Sequence, residues 1–258
     1  MYSLRDKIVL VTGASAGIGA ACARAFAAQG AKVLMSARRL ERIEALAAEL
    51  KREFGVAAHG FQLDVRDQPA VEKAITSLPP EWQAIEVLVN NAGLSRGLDK
   101  LHEGSLQDWE EMIDTNVKGL LYVSRAVIPG MVKRGVGHIV NLGSIAGVEV
   151  YPGGNVYCAT KFAVRALSQG MRLDLLGTPI RVTNVQPGMV ETEFSVVRFH
   201  GDQTRAGKVY DGLQPLAPDD IADAIVYATT RPPHVNIVEM LITPQAQAST
   251  TMAYRGKK

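Results

Sequence analysis

The stretch VLVTGASAGIGAACARAF, residues 9–26, decides how the chain folds. An apolar, β-branched run ends at Thr12, glycines follow at Gly13, Gly17 and Gly19, and an alanine-rich helical pattern opens directly after them. A strand that passes through a glycine turn straight into a helix is the first half of a βαβ unit. Without Cβ atoms the turn lets backbone approach a pyrophosphate, and the free N–H groups and positive dipole end of the helix favour an anion. Alone, a glycine cluster is as often a plain tight turn. After the first strand of an alternating chain it points to a dinucleotide site, with Ser15 and Ile18 in the same loop.

The rest of the chain alternates in that way. KIVLV, KVLMS, GFQLDV, IEVLVN, HIVNLGS, IRVTNVQP and VNIVEMLI read as seven strands, separated by amphipathic stretches of crossover length such as ERIEALAAELKREF and FAVRALSQGMRLDLL. Strands joined by such helices form a parallel sheet with helices on both faces, the α/β doubly wound Rossmann class. The segment QDWEEMIDTNVKGLLYVSRAVIPGMVKR predicts one long helix over 107–134. No proline-rich or low-complexity linker interrupts the pattern, so residues 1–258 are expected to form a single domain. The long connection 191–218, ETEFSVVRFHGDQTRAGKVYDGLQPLAP, reads as irregular, and a loop of that length in a compact domain usually serves function.

Bulk composition narrows the classes. With 47% hydrophobic and 21% charged residues and a net charge of +2, the chain has no basic footprint for nucleic acid or a membrane surface. Its N-terminal apolar run is too short for a signal peptide, and no apolar stretch approaches spanning length, so a cytoplasmic location is expected. Cys22 and Cys158 are too few for a disulfide framework, and the five histidines lack ligand spacing, so no metal is expected.

At the end of the second strand stands SARRLER, residues 36–42, where an NAD enzyme presents an acid to the ribose hydroxyls. Arg38 and Arg39 offer guanidinium groups suited to a 2′-phosphate, and no carboxylate occupies the strand end, Glu41 falling inside the next helix. NADP is therefore favoured over NAD; the alternative is two solvated arginines at a helix start. In VYCATK, residues 156–161, Tyr157 and Lys161 stand four apart on a predicted helix and so share a face. The same spacing recurs at Tyr254 and Lys258, where Gly256 intervenes and no helical pattern follows, and that copy is taken as coincidence.

With TGASAGIG, NNAG at 90–93, Asn116 in DTNVKG, Ser144 in LGSIAG, YCATK and QPGMVET at 186–192 in order, the chain resembles the classical short-chain dehydrogenase/reductases along essentially its whole length. Within that family LDVRD, LPPEW, MIDTNVKGL, PGGNVY, TEFSVVRFHGD and HVNIVEM are similar to the NADP-dependent 3-hydroxy acid dehydrogenases that oxidise serine and allo-threonine.

The resemblance implies a catalytic tetrad of Asn116, Ser144, Tyr157 and Lys161. A carbonyl that accepts hydride develops alkoxide charge, so Tyr157 would supply the proton and Ser144 would steady the oxygen. Lys161 would lower the phenol pKa and hold the nicotinamide ribose, and Asn116, through an irregularity in its helix and a water, would link Lys161 to solvent. By the same correspondence Asp64 and Val65 flank the adenine, Asn91 neighbours the adenosine ribose, and Pro187, Gly188, Val190 and Thr192 line the nicotinamide. Asn90 and Asn91 are alternatively sheet ties. The implied substrate is a small 3-hydroxy acid or, as a second reading, a short acidic aldehyde such as malonic semialdehyde or sulfoacetaldehyde; a third is a non-catalytic NADP-binding regulator. A carboxylate near the reacting carbon calls for a cation, and Arg198 is the nearest to Thr192 in sequence, with Arg205 and a neighbouring chain's Arg255 as competitors. Relatives also imply a homotetramer, with the long helix and the C-terminal segment at interfaces.

Overall fold

The computed structural model describes residues 2–256, so Lys258 of the second Tyr/Lys pair lies outside the described residues. Seven parallel strands form one sheet in the order β3-β2-β1-β4-β5-β6-β7: β1 Ile8–Thr12, β2 Lys32–Ala37, β3 Ala58–Gln62, β4 Ile85–Asn90, β5 Gly137–Leu142, β6 Ile180–Pro187 and β7 Glu239–Ile242. Alternation along β1 divides the core into two layers. Val9 and Val11 pack with Phe26, Ile43, Leu50 and Ile221 of α1 (Gly17–Ala28), α2 (Leu40–Phe54) and α9 (Pro218–Thr229). Ile8 and Leu10 face the opposite layer, where Val71, Ile75, Val123 and Val127 come from α3 (Gln68–Thr76) and α5 (Leu120–Arg134). Both faces of the sheet are thus covered, which is why its central strands read as continuous apolar runs rather than alternating ones.

Strand order reverses between β1 and β4, and the crevice beyond their carboxyl ends is where open α/β sheets bind ligands. Three departures from the expected elements matter there. The 107–134 helix is α4 (Leu106–Ile113) joined to α5 through a π-helical turn, Asp114–Gly119, which is the irregularity expected at Asn116. A π turn widens the backbone at one point, the type of insertion that recurs at functional sites. Gly119 lets this turn pack against Val65, whose Cγ2 a Cβ there would approach to 2.6 Å.

The connection 191–218 is not irregular: it contains α7 (Phe194–Arg198) and α8 (Gln203–Lys208), the latter capped by Asp202, whose side chain accepts the Arg205 N–H. The last strand is shorter than VNIVEMLI suggests, because the Val235 N–H closes a turn onto the Pro232 carbonyl and ladder pairing with β6 starts only at Glu239. α6 (Asn155–Asp174) supplies the Tyr157/Lys161 face. Among the described residues no helix is long and apolar enough to cross a membrane.

Candidate active site

A cleft of about 590 Å³ runs from the β1 turn to α7, lined by Gly13, Asn91, Ser144, Tyr157, Thr192 and Arg198 among others. Its nucleotide end is shaped by close backbone approach. A Cβ on Gly13, whose φ is +65°, would meet Ala92 Cα at 2.9 Å, and one on Gly19 would lie 2.4 Å from the Gly13 carbonyl. Gly17, at φ +51°, packs on the Thr192 methyl. α1 follows Ala16, which provides no side-chain cap, and has no acid in its first turn, so its leading amides are left to a ligand. A glycine cradle against an uncapped helix start is a fitting receptor for a dinucleotide pyrophosphate.

Asn90 and Asn91 both tie strands together. Asn90 Nδ2 donates to Ser124 Oγ and Asn141 Oδ1 inside the sheet, whereas Asn91 Nδ2 donates to the Thr12 and Gly13 carbonyls at 2.9 and 3.1 Å. Asn91 therefore also fixes the glycine turn while lining the cleft. Asp64 and Val65 line it as well, in the turn after β3, where Asp64 is paired with Arg66 at 2.6 Å and held below the ordinary carboxylate pKa despite its burial.

No acid occupies the end of β2, as expected, but two carboxylates from distant segments reach Arg38 and Arg39. Arg39 Nε and Nη2 donate to Ser15 Oγ, and Nη1 pairs with Glu193 at 2.9 Å. Arg38 lies 4.0 Å from Glu111. Neither acid belongs to β2 or its turn; both are brought over by distant segments, so the strand end itself remains free of acid.

At the other end four polar side chains converge. Tyr157, Lys161, Asn116 and Ser144 are all buried. Lys161 Nζ donates to the Leu142 carbonyl at 2.8 Å and stands 5.8 Å from the centre of the Tyr157 ring. Asn116 Nδ2 donates to the Leu94 carbonyl and to Thr160 Oγ1, its Oδ1 accepts the Leu94 N–H, and Thr160 Oγ1 in turn donates to the Tyr157 carbonyl. Thr160, which the sequence reading passed over, thus ties the π turn to the first turn of α6. Its signal was present: it falls between Tyr157 and Lys161 on the same helix. Ser144 accepts the Ala146 N–H and donates to the Pro187 carbonyl at 3.4 Å, and it lines the cleft beside Tyr157. Pro187, Gly188, Val190 and Thr192 follow β6 along the cleft wall, Gly188 packed so closely that a Cβ would lie 2.3 Å from Gln247 Oε1.

Burial dominates the titration of the pair. It pushes the Tyr157 phenol up, with Arg198 the largest opposing influence and the Ser144 hydrogen bond next. It pushes Lys161 down to about 8. The net shift of Tyr157 is upward, and the main cation opposing it is Arg198 rather than the expected Lys161.

Arg198 sits over the reacting end. Its Cζ is 5.2 Å from the ring centres of both Tyr157 and Phe194, Nε donates to Ser95 Oγ at 3.1 Å and Nη2 to Tyr151 Oη at 2.9 Å. The backbone holds it there, since its carbonyl accepts the Gly97 N–H and Arg96 Nη1 donates to the Val197 carbonyl. Of the other two arginines, Arg205 stacks on Phe199 at 4.5 Å, and Arg255 of this chain donates to its own Val209 and Asp211 carbonyls. Ser95 and Tyr151 carried no signal in sequence, being an isolated serine and a turn aromatic.

The model of the family described as short chain dehydrogenase matches residues 7–202. NADP-dependent 3-hydroxy acid dehydrogenase YdfG of Salmonella typhi is 52% identical over 248 residues, covering 95% of this chain and 98% of that protein. Its counterpart in Escherichia coli K12 is 51% identical over 242 residues, covering 93% and 96%. Among solved structures, the closed form of a serine dehydrogenase complexed with NADP+ superposes with a TM-score of 0.90 at 49% identity, covering 97% of this chain and all of that one. A match of this extent, together with a glycine cradle after β1 and a buried tyrosine–lysine pair on α6, has one reading: the chain belongs to the short-chain dehydrogenase family.

Proposed function

We propose that the protein is an NADP-dependent oxidoreductase that interconverts a small 3-hydroxy acid, of the serine, allo-threonine or 3-hydroxypropionate type, and its 3-oxo acid. The bound nicotinamide supplies hydride exchange with the substrate carbon. Everything else falls to this chain. Gly13, Ser15, Gly17, Ile18 and Gly19 cradle the pyrophosphate, Arg38 and Arg39 take the 2′-phosphate, Asp64, Val65 and Asn91 border the adenosine, and Pro187, Gly188, Val190 and Thr192 border the nicotinamide. Ser144 and Tyr157 hold the substrate oxygen between two hydroxyls. In reduction Tyr157 donates its phenolic proton to that oxygen; in oxidation the phenolate removes it. Lys161 holds the ribose beside the phenol, and Asn116 anchors the helix junction behind it.

Arg198 carries the assignment of an acidic substrate. Two of its five N–H groups are used by Ser95 and Tyr151, which leaves three N–H groups on a side chain that lines the cleft. A planar fork already fixed over the Tyr157 ring suits a carboxylate one or two carbons from the reacting carbon. A sulfonate fits the same fork, so reduction of a short acidic aldehyde, malonic semialdehyde or sulfoacetaldehyde, is the second reading.

A panel of hydroxy acids with NADP+, run beside acidic aldehydes with NADPH, tests the proposal. Turnover of hydroxy acids that disappears in Tyr157→Phe while NADP+ binding is kept supports it; more than about a tenth of wild-type turnover in that variant removes Tyr157 as the proton carrier. Turnover of uncharged carbonyls alone would point to a reductase of a broader range of carbonyls, and no turnover of any carbonyl or alcohol would leave a cofactor-binding regulator. Exposed apolar residues on the α4–α5 face, Leu106, Ile113 and Leu121, support the homotetramer, which light scattering checks.

A further inference from the structure

Arg39 is shared between two places on the molecule. Ser15 Oγ accepts from its Nε at 3.2 Å and its Nη2 at 3.0 Å, and Nη1 donates to Glu193 Oε2 at 2.9 Å. The second oxygen of Glu193 accepts from Arg42 Nη1 at 2.7 Å. Glu193 is the residue on which α7 starts, and α7 ends in Arg198. A carboxylate delivered by the substrate segment therefore rests on a guanidinium of the adenosine end, and both arginines keep it below the ordinary carboxylate pKa, ionised at neutral pH.

We infer that Glu193 is a positioning residue that acts through Arg39: an internal anion seated on the arginine of the 2′-phosphate subsite, which yields that arginine when a 2′-phosphate binds and so links the adenosine end of the cofactor to the substrate helix. The inference rests on the reading of Arg38 and Arg39 as 2′-phosphate ligands. When a phosphate of charge about −2 arrives beside Arg39, the neighbouring carboxylate opposes it. Arg42 gives that carboxylate a second seat, so the chain does not have to expel it into solvent.

Two consequences of removing Glu193 compete. The loss of one anchor on Arg39 disfavours phosphate binding, but ion pairs as exposed as this one, with side chains 41% and 48% accessible, contribute little, and Ser15 still holds the guanidinium by two bonds. The removal of a like charge next to a dianion favours binding. The second effect is the larger, and it is specific to ligands that carry a 2′-phosphate.

The test uses Glu193→Gln, nearly isosteric and on a half-exposed side chain, with thermal melting to verify that it folds. Dissociation constants for 2′,5′-ADP, 5′-ADP, NADP+ and NAD+ are measured calorimetrically at about 20 mM and about 500 mM salt, where the screening length falls from roughly 20 Å to 4 Å. The variant is expected to bind 2′,5′-ADP and NADP+ three- to tenfold tighter at low salt, with 5′-ADP and NAD+ within twofold of wild type and the gain shrinking at high salt. Hydrogen exchange over residues 193–198 should respond to 2′,5′-ADP, which reaches no nicotinamide site, in the wild type and not in the variant. Unchanged or weaker binding of the 2′-phosphate ligands, an equal gain for 5′-ADP, or an exchange response retained in the variant overturns the inference. A wild type that binds NADP+ and NAD+ equally would instead strike the assignment of Arg38 and Arg39, so the two failures are told apart.

Discussion

Replacement of Arg198 by alanine separates the charge of the substrate from its chemistry. Three N–H groups of Arg198 remain for a carboxylate once Ser95 and Tyr151 are served, enough for a two-bond fork. Hydrogen bonds to charged groups contribute about 1.5–3 kcal/mol each, and losing two in a cleft open to water should cost roughly 2–4 kcal/mol. At 1.36 kcal/mol per tenfold, kcat/KM for a 3-hydroxy acid should fall about 30- to 900-fold. The variant has a second, smaller effect. Arg198 is the largest influence holding the buried Tyr157 phenol down, so its removal raises that pKa further. The alkaline rise in oxidation rate then moves to higher pH for every substrate. The assay is kcat/KM with saturating NADP+ for 3-hydroxypropionate and for an uncharged alcohol of equal length, followed across pH. At any one pH the Tyr157 effect on kcat/KM is common to both substrates, so the acid should lose more than the alcohol by the full factor. An equal loss on both substrates would mean that Arg198 merely orders α7, and the carboxylate assignment would fall.

Changing Arg38 and Arg39 together to alanine should abolish a strong preference for NADP+ over NAD+ in kcat/KM, while NAD+ efficiency stays within a few-fold; a wild type indifferent to the 2′-phosphate refutes the idea. Lys161→Met should remove turnover and also a pH dependence of stability. Burial holds Lys161 at about 8 in the folded chain, well below an exposed lysine, so between about pH 8 and 10.5 the unfolded chain binds the additional proton and the wild type gains stability as pH rises. The wild-type melting temperature should therefore climb relative to the variant from pH 7.5 to 10, and a constant difference would show that the ammonium is not desolvated.

Much of this architecture was legible because local pattern and tertiary context agree. The first strand is fully buried, so its apolar run could serve no exposed element, and the glycines after it stand where a Cβ would strike Ala92 or the Gly13 carbonyl. The i, i+4 spacing of Tyr157 and Lys161 survives because α6 starts before both. What escaped was set by distant contact. Glu193 reaches Arg39 across 154 residues of chain, and no local pattern announces a carboxylate that arrives from another segment. α7 and α8 span five and six residues, too short for a periodic signal. Ser95 and Tyr151 matter only because Arg198 lies between them.

The phenol at the centre of the site lies between two cations that work differently. Lys161, 5.8 Å from the ring centre, is itself pushed down by burial, so near pH 8 it stands close to losing its charge. Arg198, 5.2 Å away, is the stronger influence on the phenol. A carboxylate bound at Arg198 would cancel most of that influence, and burial would then hold the proton on Tyr157. A protonated phenol is the state that reduction of an oxo acid requires, so the charged group that identifies the substrate would also set the proton inventory for its reduction. An uncharged alcohol leaves Arg198 uncompensated and the phenolate more accessible. In the wild-type pH profile of kcat, which reports the substrate complex, the alkaline rise for the uncharged alcohol should accordingly lie at lower pH than that for the hydroxy acid. Arg198→Ala should bring the two together, and if the limbs coincide already in the wild type, Arg198 does not couple the charge of the substrate to the proton on Tyr157.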